Sequence, residues 1–205
     1  AHLLPAGCVG REPPRSRSRW LIGLENSSDL TRLEKGSLMI ETPRTIIRPY
    51  TEADIVLIAP VFADPITMMF WPQPLSMDTT AAWVRRASAA FPVTGLGRML
   101  VELRDGGTPI GDCGIVEAEV NGRREYDLGY IIHHPYWRQG FGFECARACL
   151  EYGIHTLGLR RIVANMPHDH AASARVAERL GMQRETSFNN SRNRNILTYV
   201  YALNL

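Results

Sequence analysis

The spacing of apolar side chains changes period several times along the chain, and each change predicts an element. The pattern is regular from Met39 onward. Thr45-Ile46-Ile47-Arg48-Pro49 reads as a first strand, and Thr51-Glu52-Ala53-Asp54 is a helix-start signal ahead of Ile55, Leu57 and Ile58. Pro65, Pro72 and Pro74 divide the next section into short helices and loops, and Asp78 or Thr79 caps a helix carrying Ala82, Trp83 and Arg86. Arg98 to Leu103 alternates as a strand. Asp105-Gly106-Gly107 turns it into a return strand from Thr108 to Glu119, and Asn121-Gly122 turns that into another from Glu125 to Ile132. Ala146, Cys149, Leu150, Gly153, Ile154 and Leu157 then recur at helical spacing. Arg161 to Ala164 is a short buried strand, Ser173 to Leu180 a helix stopped by Gly181, and Asn195 to Leu203 a final strand. This order predicts one mixed α/β domain around a single central sheet.

Composition narrows the class. The 205 residues suffice for one domain with a sizeable core, and 45% apolar with 21% charged residues is ordinary for a soluble globular chain. No apolar run reaches the roughly 18 residues of a membrane span, and the start lacks the layout of a secretion signal, so no membrane partner and a cytoplasmic location are expected. Residues 1 to 38 hold six basic and four acidic side chains, whereas 39 to 205 hold 17 of each. A neutral body argues against a nucleic-acid partner. The Pro-, Ser- and Arg-rich run from Gly10 to Arg19 makes residues 1–38 an expected disordered or non-native extension ahead of a start at Met39, with the domain at 39–205. Cys8, Cys113, Cys145 and Cys149 form no CxxC pair and read as small apolar residues.

The stretch Asp127 to Arg147, DLGYIIHHPYWRQGFGFECAR, carries the chemistry. A strand leads through a loop ending in Arg138-Gln139-Gly140-Phe141-Gly142-Phe143 into a helix. Free N–H groups and the helix dipole at such a junction favour phosphate, and glycine lets the backbone approach it. A Walker loop is excluded, because no lysine follows Lys35, and a dinucleotide-binding GxGxxG lacks its third glycine.

Six ordered segments narrow the ligand. They are Glu41 to Pro49, Ile110 to Gly114, Leu128-Gly129-Tyr130, His134 to Gly140, Ala172 to Val176, and Leu180-Gly181-Met182. With them, Glu41 to about Tyr201 resembles the GCN5-related N-acetyltransferases (GNAT), and most of all the branch that includes the ribosomal-protein N-terminal acetyltransferases. The resemblance implies a mostly antiparallel sheet with two splayed parallel strands, Asp127–His133 and Arg161–Asn165, and flanking helices. It implies acetyl-CoA as co-substrate, a primary amine acceptor, no metal, and a monomer or homodimer. The family's [QR]xxGx[GA] loop falls on Trp137 to Gly142, with Trp137 departing at the first place. Backbone N–H groups of Arg138, Gln139, Gly140, Phe141, Gly142 and Phe143 would hold the pyrophosphate, and a side chain at Gly142 would enter that site. Tyr130 and Ile132 would give backbone contacts to the pantetheine arm. His170 stands where the family has an asparagine that helps hold this arm.

Transfer from a thioester to an amine needs proximity, a base and help for the leaving thiolate. By the same resemblance Asp127 is the first choice of base, with Glu125, Glu117, Glu119 and His133 as alternatives. Ser173 is the candidate for assisting the thiolate. His168, Asp169 and His170 also have the look of a metal triad, which the resemblance does not support. Met68, Met69, Phe70, Trp71 and Trp83 are expected to wall the acceptor site. A non-catalytic acyl-CoA-binding sensor, and an RNA- or ribosome-associated protein acting through its basic tail, are the alternatives.

Overall fold

The computed structural model describes residues 38–205. Apart from Leu38, which packs on the core, the expected N-terminal extension lies outside the described residues. Strands β1 (Ile40–Glu41), β2 (Thr45–Pro49), β3 (Gly97–Leu103), β4 (Pro109–Val120) and β5 (Arg123–Ile132) form an antiparallel run. Helices α1 (Asp54–Ala63) and α2 (Met77–Thr94) lie between β2 and β3. After β5 come a short 3-10 turn, α3 (Phe141–His155), β6 (Arg161–Pro167), α4 (Ala171–Arg179), β7 (Gln183–Asn190) and β8 (Ile196–Asn204). The sheet order is β1-β2-β3-β4-β5-β6-β8-β7, so β8 inserts between β6 and the edge strand β7.

The predicted hairpins form for the reasons the sequence suggests. Asn121 and Gly122 both take positive φ, 49° and 74°, at the β4–β5 turn, which matches the twist of the paired strands. Three expectations are corrected. The second helix starts a turn earlier, because Ser76 rather than Asp78 or Thr79 accepts from the Thr79 N–H at 3.2 Å. β3 does not alternate: Gly97 to Val101 are all buried, because α1 and α2 pack on one face and the core under α3 on the other. β7 was not anticipated, since QRETSFNN has almost no apolar residues to mark a strand.

Two cores sandwich the sheet. Ile115, Leu128, Ile132, Cys145, Cys149 and Ile162 pack on the α3 side, and Ile58, Phe62, Val84, Leu100 and Ile131 pack under α1 and α2. The three described cysteines are buried and free, as small core residues.

Candidate active site

β5 pairs with β4 along its length but meets β6 at a single parallel pair, Asp127 with Val163. Beyond it the strands part, leaving the β6-facing backbone of β5 from about Leu128 to Ile132 without a strand partner. Alternation sorts the side chains at this gap. Leu128, Tyr130 and Ile132 face α3, and Asp127, Gly129 and Ile131 face α1 and α2. The gap is therefore reachable from both faces of the sheet.

The glycine loop borders the α3 side. Gly140 is the N-cap of α3 at φ 87°, a conformation that costs a side-chain-bearing residue, and no side chain caps the helix. No backbone N–H from Arg138 to Phe143 finds a backbone acceptor among the described residues. Side chains hold the loop from outside. Arg44 donates to the Gln139 carbonyl at 2.9 Å, pairs with Glu144 at 2.6 Å, and lies 4.1 Å over the Phe141 ring. Trp137 Nε1 donates to the Ile132 carbonyl at 2.6 Å, and Gln139 Nε2 to the Pro135 carbonyl at 3.0 Å. Arg138 is exposed at φ 61°. Six unpaired N–H groups at a helix N-terminus suit a pyrophosphate, and an open strand edge suits the amides of a pantetheine arm. One expectation changes: a Cβ at Gly142 would meet the Tyr130 ring at 3.7 Å and Ile132 at 3.9 Å, so a side chain there points at β5 rather than out of the loop.

The Tyr130 side chain has a partner of its own. Its hydroxyl lies 2.8 Å from Ser173 Oγ, and Ser173 is buried. Burial raises the Tyr130 phenol well above its usual range, so it stays protonated. Ser173 does not cap its helix; His170 is the N-cap of α4, without a side-chain bond. His170 stacks on Phe70 with ring centroids 3.6 Å apart, and its buried Nδ1 has no partner among the described residues. Burial pulls this imidazole down to about 4, so it is neutral at physiological pH. His168, by contrast, packs against Tyr199, so His168, Asp169 and His170 are not gathered. The His/Asp group that does gather among the described residues is Asp64, His133 and His134, where Asp64 Oδ2 is taken by His134 Nδ1 at 2.8 Å and by the Thr67 N–H at 2.7 Å.

On the α1/α2 side a cleft of about 1300 Å³ is lined by Phe70, Trp71, Trp83, Asp127, Asn165 and His170. Asp127 Oδ1 is shut off from solvent and has no hydrogen-bond partner. Burial pushes this carboxyl up to about 6, against the pull of Asn165 and of the Arg98 guanidinium. The alternative bases are placed otherwise. Glu125 is held by Arg161 at 2.9 Å, Glu117 pairs with Arg124 at 2.6 Å, and Glu119 is exposed at the rim. His133 lies edge-on to His134 and tilted to Tyr136, outside the cleft lining. Of the expected apolar wall, Met68 is core and Met69 is exposed. The far end is bridged by the β7–β8 turn, where Asn193 Nδ2 donates to the Phe70 carbonyl at 2.8 Å.

Sequence reasoning overlooked Arg98, Asn165 and Arg44. Arg98 is buried and paired with Asp112, which is itself fully buried. A lone arginine opening the otherwise apolar run Arg98-Met99-Leu100-Val101 was the available signal.

Comparison with known proteins supplies the frame. The profile of the acetyltransferase (GNAT) domain matches residues 44–183. The uncharacterized N-acetyltransferase YoaA of Bacillus subtilis is 30% identical over 149 residues, 72% of this chain and 84% of its own. A GNAT-family acetyltransferase structure from Bacillus anthracis superposes with a TM-score of 0.69 at 25% identity, over 81% of this chain and 98% of that one. RimL, a ribosomal L7/L12 alpha-N-protein acetyltransferase solved in complex with coenzyme A, shares the fold with a TM-score of 0.69 at 16% identity, over 82% of this chain and 98% of its own.

Proposed function

The chain belongs to the GNAT acetyltransferases and is an acetyl-CoA-dependent N-acetyltransferase; on that premise we propose that it acetylates a protein N-terminal amine or a small-molecule primary amine by direct attack in a ternary complex. The observation that carries this reading is Asp127, a buried carboxyl with an unpartnered oxygen beside the parting of β5 and β6. A carboxyl lifted to about 6 is mostly ionised at neutral pH and is basic enough to take a proton.

The cofactor is held mainly by backbone. The N–H groups from Arg138 to Phe143 bind the pyrophosphate, and the exposed Arg138 adds charge. The pantetheine arm runs along the open edge of β5 by Tyr130 and Ile132, where neutral His170 donates one hydrogen bond. The amine nitrogen attacks the thioester carbonyl carbon, and the carbon–sulfur bond breaks. Asp127 takes the amine proton, directly or through one water. The departing thiolate accepts a hydrogen bond from Ser173 Oγ, which is itself held by the Tyr130 hydroxyl, and takes its proton from water, to which Asp127 returns the one it received. The products are the N-acetyl amine and free CoA thiol. Holding both reactants together supplies much of the rate. The apolar wall of Phe70, Trp71 and Trp83 favours a peptide or amphipathic amine, and RimL, which shares the fold, is by name a protein alpha-N-acetyltransferase.

Calorimetric titration with acetyl-CoA, followed by a free-thiol assay against a panel of peptides and amines, tests the reading. Binding, with thiol release that depends on one amine class, is expected. Binding without release on any amine would replace the enzyme reading with that of a cofactor sensor.

A further inference from the structure

Arg98 enters the cleft from β3, on the same face as Asp127. It is 8% exposed, and its Nε and Nη2 both donate to Oδ1 of Asp112, the Nε bond at 2.9 Å. Asp112 has nothing further to offer, because its Oδ2 is taken by Trp83 Nε1 at 3.0 Å and by the Tyr50 hydroxyl at 3.3 Å. The third guanidinium nitrogen, Nη1, lies over Gly129, where any Cβ would overlap it. A guanidinium carries five N–H donors, and those of Nη1 meet no acceptor among the described residues. Gly129 lies two residues beyond Asp127 on one face of β5, and both line the cleft. An unused donor pair therefore stands beside the carboxylate that receives the amine.

We infer that Arg98 Nη1 binds the carbonyl oxygen next to the acceptor amine, so that the acceptor is an α-amino carbonyl compound, a peptide N-terminus or amino-acid amide, rather than a simple alkylamine. The inference rests on the acetyl-transfer reading and narrows its substrate. Charge balance selects a neutral carbonyl over a carboxylate: Arg98 is already neutralised by Asp112, and an incoming ammonium neutralises Asp127. A carboxylate would leave one net negative charge next to the buried Asp127 oxygen. An alkylamine would leave the Nη1 donors without a substrate partner, which is how a site disfavours an analogue lacking one polar group.

The test compares alaninamide, isopropylamine and alanine as acceptors, with kcat/KM referred to the free-amine fraction. Alaninamide is expected to exceed isopropylamine by about 10- to 100-fold and to exceed alanine. R98K keeps a charge beside Asp112 but withdraws the Nη1 donors. It should shrink the alaninamide preference to about threefold or less while acetyl-CoA affinity holds. An unchanged preference in folded R98K overturns the inference. If R98K does not fold, the wild-type ratio decides, and equal kcat/KM for alaninamide and isopropylamine overturns it. If no amine turns over although acetyl-CoA binds, the acetyl-transfer reading fails separately. Calorimetric titration of both ligands into the CoA-bound protein then still reads Arg98, and equal affinities overturn its role.

Discussion

The two faces of β5 solve recognition in opposite ways. On the α3 face nearly every side chain is committed: Arg44 to the Gln139 carbonyl and Glu144, Trp137 to the Ile132 carbonyl, Gln139 to the Pro135 carbonyl. What stays free there is backbone, the N–H groups from Arg138 to Phe143 and the edge of β5 ahead of the Ile132 carbonyl. On the α1/α2 face the backbone is paired with β4 and the unspent groups are side chains, Asp127 Oδ1 and Arg98 Nη1, with His170 Nδ1 at the border. Backbone donors survive most substitutions, so they fit a ligand that is always the same. Side-chain groups change with one codon, so they fit the acceptor, the partner that varies.

The largest expected effect separates the two halves. Asp127→Asn keeps the shape and removes the proposed base, so kcat should fall by about 100-fold or more, while acetyl-CoA affinity should move by less than about twofold. The pH profile sharpens this. Asp127 must be ionised to accept a proton, so wild-type kcat/KM should rise with pH through about 6, the value set by its burial. That acid limb should vanish in the variant; a limb that persists would return the role of base to another group.

The reciprocal substitution acts on the loop. Gly142→Ala places a Cβ in ordinary contact with Tyr130 and Ile132, and should be tolerated. Gly142→Val adds two methyl groups that press Tyr130 toward the cofactor gap, and should weaken acetyl-CoA binding by about tenfold, read by calorimetry. Gly140→Ala should cost about as much by another route, since alanine at φ 87° is strained by about 1–2 kcal/mol. If Gly142→Val binds acetyl-CoA as wild type does, the path of the cofactor along β5 is wrong. Ser173→Ala should lower kcat by about tenfold, with little change in either KM, because in the proposed reaction Ser173 acts on the departing thiolate alone.

Sequence reading reached the elements around the glycine loop far better than the side-chain cluster of the cleft. Hairpin signals at Gly106-Gly107 and Asn121-Gly122 and the helical period after Gly140 are local, and local patterns survive without tertiary knowledge. Arg98 and Asp112 become neighbours only through the β3–β4 register, which shifts between Val101 and Glu102. Asn165 reaches Asp127 only because β5 and β6 come together across α3. β7 escaped because an exposed edge strand needs no apolar face, and its partner β8 lies next to β6 rather than at the edge. The side-chain half of the site is assembled by long-range pairing, and so are the residues that were missed.

The smallest expected effect is on stability, where two groups of the cleft should oppose each other. The Asp127 carboxyl is raised from its ordinary 3.8 to about 6. Its contribution is therefore fully present below pH 3.8 and lost as pH rises through about 6. The His170 imidazole is lowered from 6.5 to about 4, so its contribution is fully present above pH 6.5 and lost as pH falls through about 4. Between these limits acidification strengthens the fold through Asp127 and weakens it through His170, and the wild-type melting temperature should change little on their account. Single substitutions unmask each term. Asp127→Asn should steepen the loss of Tm from pH 6.5 to 4, and His170→Asn should flatten it, each by about a few degrees. Thermal melts of the three proteins across that range read the signs directly. A shift in the same direction for both variants would mean that one of the two groups is exposed to water, and the contrast between a spent and an unspent face of β5 would lose the buried charge on which it depends.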